Sequence, residues 1–150
     1  MDGMVKLPKI LPLAIATSSH SGSVEKKRVH HQDMFQRFDA IVSTDDPAVQ
    51  NGKPAPDIYL EAAKRINVPP NQCIVFEDGM PGVLSGKAAG AFVIAVPDPR
   101  FTAQEIEELF APHADLVLKD MTEFDWKTVC DNMAKKQQKK QSNMTLEQQS

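Results

Sequence analysis

Short apolar runs alternate with longer amphipathic stretches along most of this chain. Leu13 to Ala16 is an apolar run ending in Thr17-Ser18-Ser19, the pattern of a buried strand that leaves into a polar loop. From Val24 to Phe38, Val24, Val29, Phe35 and Phe38 fall roughly on one face among many charges, which predicts a helix. Ala40 to Val42 predicts a second strand. Ser43 to Asp57 then carries three prolines and a glycine, which forbid regular structure over a stretch long enough to have a purpose. Ile58, Ala62 and Ile66, with Tyr59 and Ala63 beside them, have the spacing of one helical face, with Asp57 at its favourable N-terminal end and Pro69-Pro70 as its stop.

The alternation continues. Cys73 to Phe76 predicts a third strand, and Pro81 to Ala89 a short helix that Gly90 can close in the left-handed conformation. Ser85-Gly86 inside that helix costs about 1 kcal/mol relative to alanine, so tertiary packing must hold it. Phe92 to Val96 predicts a fourth strand. Thr102 and Glu105 have capping-box spacing ahead of Ile106, Leu109 and Phe110; a fifth strand is expected at Asp115 to Leu118 and a last helix from Thr122 to Met133. From Lys135 onward the chain is Lys, Gln, Ser and Asn with almost nothing to bury, so residues 135–150 are expected to be a disordered polar tail behind a core domain of residues 1–134. There are no internal repeats.

Strands that alternate with helices build a parallel sheet covered on both faces, a three-layer, Rossmann-like α/β fold. The 150 residues suit one such domain. Hydrophobic content is 41%, and no run approaches the ~20 apolar residues that cross a bilayer. Net charge is −3 with acids and bases mixed along the chain, which argues against nucleic acid or a membrane as partner and favours a small solute. Two cysteines are too few for a disulfide framework, and the first residues lack the basic start and apolar centre of a signal peptide; both suit the cytoplasm. Asn143-Met144-Thr145 is read as a chance glycosylation match.

In parallel sheets, ligands bind at the carboxyl ends of the strands. After the first strand stand Thr17 and Ser18, short hydroxyls before a helix; they either cap it or help its N-terminus bind an anion such as phosphate. After the second stands Lys53, between Gly52 and the rigid Pro54 and Pro56, either a solvated loop lysine or one whose side chain the prolines aim. After the third stand Glu77 and Asp78. Two like charges ~4 Å apart cost about 4 kcal/mol at an effective dielectric near 20, so the pair needs compensating cations. Mg²⁺, which prefers carboxylate and water oxygens, can supply that charge, with Lys53 supplying part; a solvated acidic cap on the next helix is the plainer alternative. Taken together, an anion cradle, a cation and a metal site at one mouth of the sheet are the equipment of phosphoryl transfer. His30-His31 has no further ligand spaced to complete a metal site and is read as a helix-surface pair. No Gly-x-Gly-x-x-Gly follows a strand, which weakens a dinucleotide-binding alternative.

The motifs resemble those of the haloacid-dehalogenase-like (HAD) hydrolases. "LAIATSS" from Leu13 looks like their second motif, "GKPAPD" from Gly52 their third, and "VFEDGMPGVLSGKAAGAFVIAVPDPR" from Val75 their fourth with its flank. "RVHHQDMFQRFDAIVSTDDPAVQNGKPAPD" from Arg28 is similar to the subgroup containing pseudouridine-5'-phosphatase, glycerol-3-phosphate phosphatase and flavin-mononucleotide hydrolase. The resemblance implies a Mg²⁺-dependent phosphatase of small phosphomonoesters (sugar, polyol or nucleoside phosphates). In it Thr17 and Ser18 bind the substrate phosphate, Lys53 neutralises phosphate and nucleophile, and Glu77 and Asp78 hold Mg²⁺. Gly79 is a mild departure, because serine or alanine is commoner there.

One part of the family's pattern is missing. Its nucleophile is an aspartate in Asp-x-Asp on the first, central strand, and no two aspartates of this chain are separated by one residue. The resemblance therefore implies a core that lacks its first central strand, with the strands carrying Thr17 and Glu77 left about two strand spacings apart, ~9.6 Å, and their edges unpaired. Either Met1 to Leu11 fills the slot, which Pro8 and Pro12 make awkward, or the sheet closes up, or its centre is poorly packed. The cap domain that selects substrate is expected to be missing as well. The chain is thus read as the C-terminal part of a phosphatase, a truncation, a shortened product or a degenerate relative, inactive as it stands. The alternative is a non-catalytic phosphate- or metal-binding or regulatory protein, one that can self-associate through exposed strand edges.

Overall fold

The structure, a computed structural model, describes residues 11–148. They fall into two compact units that divide between Lys119 and Asp120. In the larger unit β1 (Ala14–Thr17), α1 (Ser21–His30), α2 (Gln32–Phe35), β2 (Ala40–Ser43), α3 (Asp57–Arg65), β3 (Ile74–Glu77), α4 (Met80–Ala88), β4 (Phe92–Ala95), α5 (Ala103–Glu105) and β5 (Leu116–Val117) follow one another. The single predicted helix over Val24 to Phe38 is two helices, broken at His31, whose φ of −134° leaves the helical region. Thr102 and Glu105 form the full capping box expected of them, and α5 runs on into a π-helical turn over Ile106–Phe110. Gly90 has φ +86° and turns the chain from α4 into β4 in the left-handed region, as its position predicts.

All strand pairs are parallel, as the alternation requires. Among the described residues they form two sheets: β1 with β2, in register Ala14 to Ala40, and β3-β4-β5, with Ile74 opposite Phe92 and Ile94 opposite Leu116. Among the described residues β1 and β3 do not pair with each other, at the place where the missing central strand is expected. Met1 to Leu11, the stretch expected to compete for that slot, lies almost wholly outside the described residues.

Two apolar clusters follow the two sheets. Val42, Val49, Ile58 and Ala62 form one, and Val75, Val83, Ala91, Val93, Ala95 and Phe110 the other; Tyr59 packs against both. Helix α3 lies against β1, β2 and α4 and so spans the division, while α4 covers β3 and β4. The cost of Ser85-Gly86 inside α4 has its reason here. A Cβ on Gly86 would stand 3.0 Å from both Val75 Cγ1 and Val93 Cγ2, so glycine lets the helix come down onto the sheet, and the fully buried Ser85 donates to the Ala55 carbonyl at 2.6 Å.

In the second unit, Asp120 caps a 3₁₀ turn over Met121–Glu123, and α6 runs over Trp126–Gln148. Asp125, which accepts from Thr128 N at 2.9 Å, marks its start, later than the Thr122 expected from the pattern. The expected disordered tail is instead helical through Gln148. Lys, Gln, Met, Leu and Glu are good helix formers, so a segment that exposes nearly every side chain still takes this backbone. Among the described residues no helix is long and apolar enough to cross a membrane.

Candidate functional site

The loop after β2 is built to present one lysine. Asp57, the first residue of α3, accepts from Gln50 N at 3.2 Å and Asn51 N at 3.0 Å, and Ala55 N closes a turn onto the Gly52 carbonyl at 3.0 Å. Ser85 fastens the loop's other side to α4 through the Ala55 carbonyl. The Lys53–Pro54 peptide is cis. Those loop contacts aim Lys53 inward, and only 9% of its side chain is exposed.

Its ammonium stands at the division of the sheet. Lys53 Nζ donates to the Ala16 carbonyl of β1 at 3.2 Å and to Glu77 Oε1 of β3, so a single cation joins the carboxyl ends of the two sheets. The Tyr59 hydroxyl donates to that same Glu77 oxygen, and the ammonium lies 4.9 Å from the Tyr59 ring centroid, within cation–π range. Glu77 is as enclosed as its partner, with 10% of its side chain exposed. Burial pushes the Tyr59 phenol far above its ordinary value, and the negative charges of Glu77 and Asp78 push it further. A proton held that firmly makes Tyr59 a donor at every working pH.

Gly82 completes this socket. A Cβ there would fall 1.9 Å from Glu77 Cδ and about as close to both carboxylate oxygens, so the first turn of α4 can close over the acid only because the residue is glycine.

The two adjacent acids are thus parted. Glu77 turns into the protein while Asp78 is exposed, as successive residues at a strand end point to opposite sides. Glu77 has its compensating cation in Lys53. Asp78 is left facing solvent.

Thr17 ends β1 partly buried, its Oγ1 accepting from Ser19 N at 3.1 Å, and Ser18 is exposed. The N-terminus of α1 holds an anion from the chain itself: Asp45 accepts from Ser21 N at 2.8 Å and from Ser21 Oγ at 2.7 Å. Hydrogen bonds from the Ser21 hydroxyl, then Ser43, hold the Asp45 carboxyl well below the usual carboxylate range. Ser23 N and Val24 N donate to the His20 carbonyl. These groups are occupied by the protein, which limits the cradle expected of this helix end. His30 and His31 are exposed at the far end of α1.

Lys53 and Glu77 thus meet, with Thr17 one residue from the Ala16 carbonyl and Asp78 one residue from Glu77. Among the described residues no three His, Cys, Asp or Glu side chains cluster closely enough to hold a metal ion by themselves. Sequence reasoning missed Tyr59, Gly82, Ser85 and Asp45. Tyr59 reads as a residue beside an apolar helical face, and no local pattern ties it to an acid 18 positions later.

Comparison with known proteins adds to this geometry. The model of the family described as haloacid dehalogenase-like hydrolase matches residues 4–90. The chain is 41% identical over 117 residues to a probable pseudouridine-5'-phosphatase of Drosophila melanogaster, covering 76% of this chain and 48% of that protein. It is 48% identical over 87 residues to a bifunctional riboflavin kinase/FMN phosphatase of Arabidopsis thaliana, covering 58% of this chain and 22% of that one. Among solved structures, a HAD hydrolase of family IA, variant 3, from Entamoeba histolytica superposes with a TM-score of 0.68 at 33% identity, covering 82% of this chain and 53% of that one. The chain spans about half the length, or less, of the curated relatives it matches.

Proposed function

We propose, since the chain belongs to the haloacid dehalogenase-like hydrolases, that it is the C-terminal part of a Mg²⁺-dependent phosphatase of a small phosphomonoester and is inactive as it stands. The names of its relatives support a phosphatase, and their substrates, nucleoside, polyol and flavin phosphates, suggest the class. The observation that carries the reading is the Lys53 ammonium held between the end of β1 and Glu77, one residue from Thr17 on one side and one from Asp78 on the other. Thr17 and Ser18 bind phosphate oxygens; Lys53 offsets their charge. Two free cysteines and a net charge of −3 suit a cytoplasmic role with a small metabolite as partner.

Mg²⁺ fits the donors in type. It is bound by one or two carboxylates, with waters and substrate phosphate completing the octahedron, so the want of a third protein ligand is no obstacle. Asp78 is the open carboxylate, and Glu77 contributes from within its socket. The ion supplies charge to the phosphoryl oxygens. What the chain does not supply is an attacking carboxylate, because it holds no Asp-x-Asp.

The test is a titration of the isotope-labelled chain with Mg²⁺ and inorganic phosphate, beside an assay with p-nitrophenyl phosphate. Resonances of Thr17, Ser18, Lys53 and Asp78 are expected to move together without measurable turnover. Robust Mg²⁺-dependent turnover would overturn the inactivity, and the absence of any phosphate or metal response would overturn the site.

A second reading has its own observation. Lys53 and Glu77 already satisfy one another, which suits a non-catalytic binding or regulatory protein that joins another copy through the divided sheet. Light scattering separates the two: a stable dimer supports this reading, a folded monomer the first.

A further inference from the structure

Two polar groups from two elements converge on one atom, Glu77 Oε1, and one of them has no part in the phosphatase reading. Lys53 reaches that oxygen from the loop after β2, and Tyr59 reaches it from α3. Tyr59 also packs against both apolar clusters and carries the Lys53 ammonium over its ring at 4.9 Å. An ammonium can donate in three directions on a flexible four-carbon stem, so two acceptors alone leave it free to swing. A phenol is rigid, with only two side-chain torsions to fix, and here its body is anchored between the clusters on both sides of the division.

We propose that Tyr59 is the positioning residue of this site: its hydroxyl fixes the Glu77 carboxylate, and its ring and that carboxylate together fix the Lys53 ammonium between β1 and β3. The inference rests on the reading of Lys53 as the phosphate-facing cation. Tyr59 does not touch phosphate; it acts through Lys53 and Glu77. Gly82 backs onto the same carboxylate, where any Cβ would collide with it, so the helix leaves the acid little room to move. Asp78, unclaimed by this arrangement, is the acid left to solvent.

The test uses the full chain and compares Tyr59→Phe with Tyr59→Leu. Phenylalanine keeps the ring, the packing and the cation–π contact, and removes only the hydroxyl. The readouts are the Lys53 side-chain ammonium resonance, slow enough in proton exchange to be seen when held, and the affinity for inorganic phosphate. In Tyr59→Phe the ammonium resonance is expected to broaden or vanish and phosphate to bind about tenfold more weakly, the scale of one lost hydrogen bond. The melting temperature should fall by only a few degrees, the scale of one hydrogen bond. Tyr59→Leu should lose the resonance and melt lower still. A Tyr59→Phe chain with an unchanged ammonium resonance would overturn the proposal and leave Tyr59 a packing residue. Failure of the unmodified chain to bind phosphate would overturn the site reading instead, and the ammonium resonance would still decide the role of Tyr59.

Discussion

Replacing Glu77 by Gln removes one charge from the Lys53–Glu77 pair and changes almost nothing else. Both side chains are enclosed, at 9% and 10% exposure, so the pair lies far from the surface regime in which ion pairs contribute about 0–1 kcal/mol. Taking one partner from a buried pair leaves the other charge uncompensated and costs about 3–5 kcal/mol. Coulomb's law agrees in scale, with about 4 kcal/mol for unit charges ~4 Å apart at an effective dielectric of 20. Lys53→Met should cost as much, since it leaves the carboxylate with Tyr59 as its hydrogen-bond donor. At about 2–4 °C per kcal/mol for a chain of this size, each variant should melt about 6–20 °C lower. The double variant Lys53→Met with Glu77→Gln leaves no buried charge and should recover much of the loss, giving a coupling of about 2–4 kcal/mol in urea denaturation. Single variants that each cost under about 1 kcal/mol, with a double variant equal to their sum, would refute the claim that the cation joins the two sheets.

Three further outcomes follow from the packing. Gly82→Ala puts a methyl where the Glu77 carboxylate stands, and should cost about 1–3 kcal/mol in urea denaturation while changing the ultraviolet absorbance of Tyr59, the chain's only tyrosine. Ser85→Ala strands the Ala55 carbonyl and should cost about 1–3 kcal/mol, with faster amide exchange along residues 50–56. Asp45→Ala removes the carboxylate from the start of α1. Because the folded state holds that carboxyl below its ordinary 3.8, its contribution is complete above that value and fades as the pH falls toward the folded one. Melting temperatures of Asp45→Ala and the unmodified chain should therefore differ at pH 7 and converge in strong acid; a difference that persists unchanged to low pH would contradict the assignment.

Much of the architecture was legible in the order of residues because it depends on neighbours. Period two against period 3.6, the prolines of the loop after β2, the Thr102–Glu105 box and the glycine after α4 each act within a few positions, so the strands, the helices and their alternation could be read directly. The strand-end residues were legible for a related reason: parallel strands joined by helices send all their carboxyl ends to one side, so Thr17, Lys53 and Glu77 had to end near one another. The missing Asp-x-Asp was likewise plain from the sequence alone, and among the described residues β1 and β3 do not pair with each other.

Tertiary structure decided how those residues are used. No local rule says that Glu77 turns inward to Lys53 and Tyr59 while Asp78 faces water, that Asp45 occupies the N-terminus of α1, or that Gly82 is the floor beneath a carboxylate. Each is a contact between residues brought together by packing, and which donor reaches an acceptor depends on how closely α3 and α4 approach the sheets. The sequence determined which groups arrive at the strand ends. Only the fold decides which of them satisfy one another and which remain open to a ligand, because a buried charge takes the nearest partner in space, whatever its distance along the chain.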